Sequence, residues 1–162
     1  MTTSQHSAIK LARFVAAGFG SGWLPKAPGT WGSLLSLAPA TLVVAIFGAS
    51  GVLAGALLLT LLGVVACRIV LPTLTDSDPG WIVIDEWAGQ WLALALALAV
   101  SPMGWLTLLL AFLLFRLFDI VKPGPVAWAE KVGPDWWSIM ADDLVAALLA
   151  GLIACALLLA LT

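Results

Sequence analysis

Long apolar runs alternate with short polar segments along this chain. Five runs are readable, at 34–47, 52–71, 87–100, 105–118 and 144–161. None has the period-two alternation of a half-buried strand or of a membrane barrel, and their Leu and Ala content favours helix. A helix needs about 20 residues to cross about 30 Å of hydrocarbon. The second and last runs approach that length, and the first reaches it if 31–33 join, with Pro39 a candidate kink. The third and fourth are short, are separated by Ser101-Pro102-Met103-Gly104, and predict a tight helical hairpin. The pattern predicts an all-α, polytopic integral membrane bundle of about four to five apolar helices, one domain over residues 1–162.

Composition strengthens that reading. The chain is 62% hydrophobic and 10% charged, with a mean hydropathy of +1.11. A soluble domain of this size could not hide so much Leu and Ala, so lipid is the expected solvent. The net charge of -2 comes without a basic stripe or a nucleic-acid-binding motif, which excludes a nucleic-acid partner. Cys67 and Cys155 lie inside apolar runs without ligand-like spacing and read as packing residues. His6 sits in a polar N-terminal stretch and is expected to be solvated. That stretch has no small-residue cleavage site after a short apolar segment, so no cleaved signal peptide is expected.

Charge then changes the picture from a greasy bundle to a site. Twelve of the sixteen charged residues fall between Asp76 and Asp143. Asp85 and Glu86 open one apolar run, Arg116 and Asp119 close another, and Asp142 and Asp143 open the last. Ionisable groups at apolar helix mouths are costly and usually have a task. If every run crosses once, Lys10, Arg13, Lys26, Arg68, Lys122 and Lys131 share one face, which the positive-inside rule makes cytoplasmic. The turns at 48–51 and 101–104 fall on the other face and carry no charge.

Four polar segments carry candidate chemistry. In 20–33, glycines permit close backbone approach, and Thr30 is a candidate cap for the first membrane helix. Backbone N–H groups near Gly29 and Thr30, with Lys26, would then face an anion. An interfacial turn anchored by Trp23 and Trp31 fits the same residues. In 76–90, Asp85 and Glu86 sit at a helix N-terminus, where the dipole stabilises negative charge. Their side chains diverge by about 100° and need not share a ligand position. Either is a Mg²⁺ ligand or a cap; Asp76 and Asp78 read as solvated loop residues. In 115–125, Arg116, Asp119 and Lys122 recur on one helix face, as an ion-pair ladder or as a phosphate clamp beside a metal ligand. Pro123 marks the expected helix end. In 139–151, Asp142 and Asp143 repel unless a cation, a proton or a basic residue relieves them. Mg²⁺ suits oxygen ligands, whereas no Cys/His set suits zinc.

PKAPGTWGS at 25–33, IVIDEWAG at 82–89, FRLFDIVKPGP at 115–125 and IMADDLVA at 139–146 together resemble the bacterial phosphatidylglycerophosphatase A family, in the family's order. The resemblance implies a Mg²⁺-dependent enzyme of the bacterial inner membrane that removes the terminal phosphate of phosphatidylglycerophosphate. Its partners would be that substrate and membrane lipid, with no protein partner implied. The family's conserved polar positions map onto Lys26, Thr30, Asp85, Glu86, Arg116, Asp119, Lys122, Asp142 and Asp143. Asp135-Trp136-Trp137-Ser138 and Ala146-Ala147 depart from the family's Gly-rich approach to the last acidic pair and from its following Ala-Gly. The two Trp residues are expected to anchor that loop at the interface.

On this reading Asp85, Glu86, Asp119, Asp142 and Asp143 form the catalytic and metal-binding set for one or two Mg²⁺ ions. Lys26, Gly29, Thr30, Arg116 and Lys122 form the phosphate-binding set. Attack by water is the expected chemistry, with an Asp nucleophile as the other route. A Mg²⁺-dependent head-group transferase and a small lipid or ion transporter are the alternatives. The middle of most runs is free of charge, which argues against a transport pathway.

Overall fold

The computed structural model describes residues 3–161 and is helical, with no strand among the described residues. Six helices follow in chain order: α1 Thr3–Ala16, α2 Pro28–Val70, α3 Ile84–Leu98, α4 Trp105–Val121, α5 Gly124–Ala129 and α6 Asp135–Ala160. Every apolar run lies in or overlaps a helix, and α1 and α5 are additions that hydropathy did not signal. The stretch Pro28–Thr73 and α6 are long and apolar enough to cross a membrane. Their large side chains face outward: Leu42, Ile46, Leu57, Leu61 and Leu152 are all more than half exposed. That is the surface of a protein solvated by lipid.

α2 is a hairpin. Gly48 breaks it with φ 65 and ψ -162, a conformation that is essentially confined to glycine. Val83 lies against Gly32, and its neighbour Ile84 lies against Gly63. Along an unbroken helix those two glycines would stand about 46 Å apart. The Trp91 ring likewise abuts Gly55 while its indole N–H donates to the Ser36 carbonyl at 2.9 Å. The arms 28–47 and 49–70 therefore run antiparallel, each with the roughly 20 residues a crossing needs. The break falls at Gly48, where alone within α2 the backbone angles are non-helical, and Pro39 lies inside the first arm without one.

α3 is the central element, packed on α2, α4 and α6. Ile84, Ala88, Ala93, Leu94 and Ala97 are buried along it. Small residues allow close approach: a Cβ on Gly89 would fall 2.6 Å from the Phe115 ring of α4. Around this core, the starts of α2, α3 and α6 and the ends of the α2 hairpin and α4 gather at one end of the bundle. The Gly48 turn and the α3–α4 connection occupy the other. The segment between α2 and α3 closes over the polar end. It is fixed to α1 by the Val83 N–H donating to the Ala16 carbonyl at 2.9 Å and by Arg13 stacked on Trp81.

Two local expectations change. Thr30 does not cap α2: Ala27, in the left-handed region at φ 47, is the N-cap residue, and no side chain caps that end. Asp142 and Asp143 do not sit at a helix mouth. α6 begins at Asp135, so they lie about two turns inside it. The polar stretch 135–143 is helical because Pro134 presets the start of the helix and no later Gly or Pro interrupts it before Gly151.

Candidate active site

Carboxylates reach the polar end from three helices. Asp85 and Glu86 are the second and third residues of α3, in its first turn, where unpaired N–H groups favour negative charge. The Glu86 N–H donates to the Asp85 carboxylate at 2.9 Å. Asp119 lies in the last turn of α4. Asp142 and Asp143, adjacent on α6, point about 100° apart, and that divergence separates their surroundings.

Asp142 turns to Lys122. The Lys122 Nζ donates to Asp142 Oδ2 at 2.8 Å and to Glu130 Oε1 at 2.6 Å. Lys122 caps α4 in the left-handed region at φ 46, which swings its side chain off the Arg116–Asp119 face and toward α6. Burial disfavours its ammonium, but the hydrogen bonds to Asp142 and Glu130 outweigh that and hold its pKa well above the ordinary 10.5.

Asp143 turns to Asp85 and Glu86. One carboxylate oxygen from each of these three lies within 4.8 Å of the others. The expected divergence of Asp85 and Glu86 is thus overcome by side-chain rotation. Arg116 offsets the charge of this trio only in part, through Glu86. Its Nη1 pairs with Asp119 Oδ2 at 2.6 Å, donates to Ser33 Oγ at 3.3 Å, and stands 3.9 Å from Glu86 Oε1. Ser33 in turn donates to the Gly29 carbonyl at 2.9 Å. Arg116 is therefore committed to joining α4 to the start of α2.

Two members of the trio, and Asp142 beside them, are left short of partners. Glu86 Oε2, Asp142 Oδ1 and Asp143 Oδ2 are buried without a hydrogen bond, as are Arg116 Nε and both polar atoms of Gln90, whose residue is 0% exposed. Buried carboxylate oxygens facing one another call for a cation. The donor set fits Mg²⁺: oxygen-only ligands at 2.0–2.1 Å place ligand atoms about 3 to 4.2 Å apart, and three oxygens within 4.8 Å close to that with small rotations.

These groups surround a cavity of about 350 Å³ lined by Asp85, Glu86, Asp119, Lys122, Asp142 and Asp143, all anticipated from sequence. Ser77, Asp78, Glu130, Asp135 and Ser138 also line it and were not anticipated as site residues. Asp78 had the signal of a carboxylate seven residues before Asp85 but looked like a solvated loop residue. Glu130 stands between two motifs with no periodic relation to either. Lys26 and Thr30 do not line the cavity; Lys26 is exposed at the strained turn before α2. Gly29 does approach the site: a Cβ there would collide with Glu86 Oε1 and fall 3.3 Å from Arg116 Nη2.

A protein-family profile described as "Phosphatidylglycerophosphatase A" matches residues 14–158. A Haemophilus influenzae protein named "Phosphatidylglycerophosphatase A" is 36% identical over 144 residues, covering 89% of this chain and 86% of its own. An Escherichia coli protein of the same name is 32% identical over 136 residues, covering 84% and 77%. A Bacteroides thetaiotaomicron protein named "Putative phosphatidylinositol-3-phosphatase" is 36% identical over 141 residues, covering 82% and 84%. No solved structure matches the chain.

Proposed function

Because the chain belongs to the phosphatidylglycerophosphatase A family and hydrolyses phosphatidylglycerophosphate to phosphatidylglycerol and phosphate, we propose that it does so by Mg²⁺-assisted attack of water on the terminal phosphomonoester. The observation that carries this reading is the partition of the acidic residues. Arg116 and Lys122 pair closely with Asp119 and Asp142, while Asp85, Glu86 and Asp143 converge with only the Arg116 guanidinium, 3.9 Å from Glu86, to offset their charge.

Those three would hold the ion, with Asp142 Oδ1 at the edge of the same cavity. Bound there, Mg²⁺ supplies Lewis-acid polarisation of the phosphoryl oxygens and lowers the pKa of water. Lys122 offers the phosphate the cation on the cavity wall, held charged by its two carboxylates. Arg116 fixes Asp119 and the start of α2, whose Gly29 leaves room for the Glu86 carboxylate. The free N–H groups at that helix start, with Lys26 in the preceding turn, form an outer anion-attracting rim. The unbonded oxygen of Glu86 or Asp143 would accept the proton of the attacking water as the phosphorus–oxygen bond to the glycerol breaks, and return it to the departing alkoxide.

The bundle crosses the membrane five times in this reading: two arms of α2, then α3, α4 and α6. The charged end then faces the cytoplasm by the positive-inside rule. The substrate's acyl chains stay in lipid while its head group enters the cavity. Phosphate release from phosphatidylglycerophosphate in detergent, with Mg²⁺, with chelator and with Asp143→Asn, tests the chemistry. Turnover should fall at least about a hundredfold with chelator or with the substitution. Robust turnover in excess chelator would overturn the metal proposal.

A further inference from the structure

We infer that Glu130 positions Lys122 for the substrate's terminal phosphate: Glu130 and Asp142 hold two of the three ammonium donors and leave the third for a phosphoryl oxygen in the cavity. The inference rests on Lys122 being the phosphate-facing cation. Arg116 does not line the cavity, and its Nη1 is engaged by Asp119, Ser33 and Glu86.

An ammonium has three N–H donors in tetrahedral arrangement. Two end on Asp142 Oδ2 at 2.8 Å and Glu130 Oε1 at 2.6 Å. All three side chains line the same cavity. Their exposure is graded, with Asp142 at 8%, Lys122 at 30% and Glu130 at 40%, so the ammonium bridges a buried carboxylate and a rim carboxylate. A lone lysine loses rotamer freedom when fixed. Two anchors remove that loss before substrate arrives.

Glu130 is itself held. It follows α5, whose Val126 and Ala129 are buried and which packs on α6. Pro123 and Pro125 stiffen the connection from Lys122. The Glu130 N–H donates to the Val126 carbonyl at 3.1 Å. The carboxylate therefore stands on a packed turn. An isolated exposed ion pair would contribute little. This one shares its cation with the buried wall of the site, so its effect is expected in phosphate affinity more than in stability.

The test is a double-mutant cycle on the full-length protein in detergent. Phosphate release from phosphatidylglycerophosphate gives kcat and KM, and competition by inorganic phosphate gives an inhibition constant. Glu130→Gln should raise KM and the phosphate inhibition constant about fivefold with kcat within about twofold, and Glu130→Asp should recover part of the loss. Lys122→Met should raise both constants further, and adding Glu130→Gln to it should change neither. Undiminished effects of Glu130→Gln in the Lys122→Met background would overturn the positioning role while leaving Lys122 as the phosphate ligand. Unchanged constants in Lys122→Met alone would overturn the assignment of Lys122, and the inference with it. Thermal unfolding of each variant separates these outcomes from loss of fold.

Discussion

Arg116 and Lys122 decide which carboxylates are free to act. Arg116 pairs with Asp119, and Lys122 with Asp142 and Glu130, at hydrogen-bond distance, and three of the remaining acids are those that converge. Replacing a paired acid and replacing a free one should therefore differ. Asp119→Asn should lower turnover by releasing Arg116, while a divalent ion still binds. Asp143→Asn should lower turnover and ion binding together. Gly29→Ala should cut kcat/KM at least about tenfold with the fold retained, because the added methyl meets the Glu86 carboxylate; steady-state kinetics and a melting curve check it. Gln90 is the residue the mechanism does not use. Its carboxamide is fully buried without a partner, so Gln90→Met should hold or raise thermal stability, by up to about 1–3 kcal/mol. A fall in stability would mean that water fills the space around that carboxamide. Six of the cavity-lining residues could be named from sequence because a rare charge in an apolar chain is conspicuous. Asp78 and Glu130 could not, because nothing local distinguishes a loop carboxylate facing a cavity from one facing water.

At the scale of elements, the apolar runs located the long helices, and the turn glycines located their ends. Gly48 was legible as a turn. Its φ of 65 makes Gly48→Ala cost about 1–3 kcal/mol, measurable as a lower melting temperature with kinetic constants unchanged, since the turn lies at the end opposite the site. The helix starts were less legible. α6 begins nine residues before its apolar run, because helix formation there follows from Pro134 and an uninterrupted backbone more than from hydropathy. That shift matters for the chemistry: two turns inside the helix, Asp142 and Asp143 have packed neighbours that fix where each points. α1 escaped notice for the opposite reason, being amphipathic and short, with only Ala12 and Ala16 buried among its described side chains.

At the scale of the whole molecule, helix ends that are distant in sequence share one pole, and the charge of the chain is concentrated there. Single cysteines at Ser77 and Ser138 should label from one side of the membrane, and those at Ser50 and Ser101 from the other. Labelling of Ser50 and Ser77 from the same side would remove the proposed five crossings. The Lys122 ammonium has a raised pKa, so it stays charged through the ordinary lysine range, and on the alkaline side its ion pairs fail only as pH climbs past the raised value. Once the ionisation of phosphate itself is allowed for, the phosphate inhibition constant should not rise between about pH 7 and about pH 9, as product inhibition would record.

The central claim is that Asp85, Glu86 and Asp143 hold the activating ion. Titrating the purified protein with Mn²⁺ in place of Mg²⁺ and following the free ion by electron paramagnetic resonance measures that directly, without turnover. Saturable binding by the wild type and by Lys122→Met, lost in Asp85→Asn and in Asp143→Asn, is the predicted result. Wild-type binding that survives in both of those variants would contradict it.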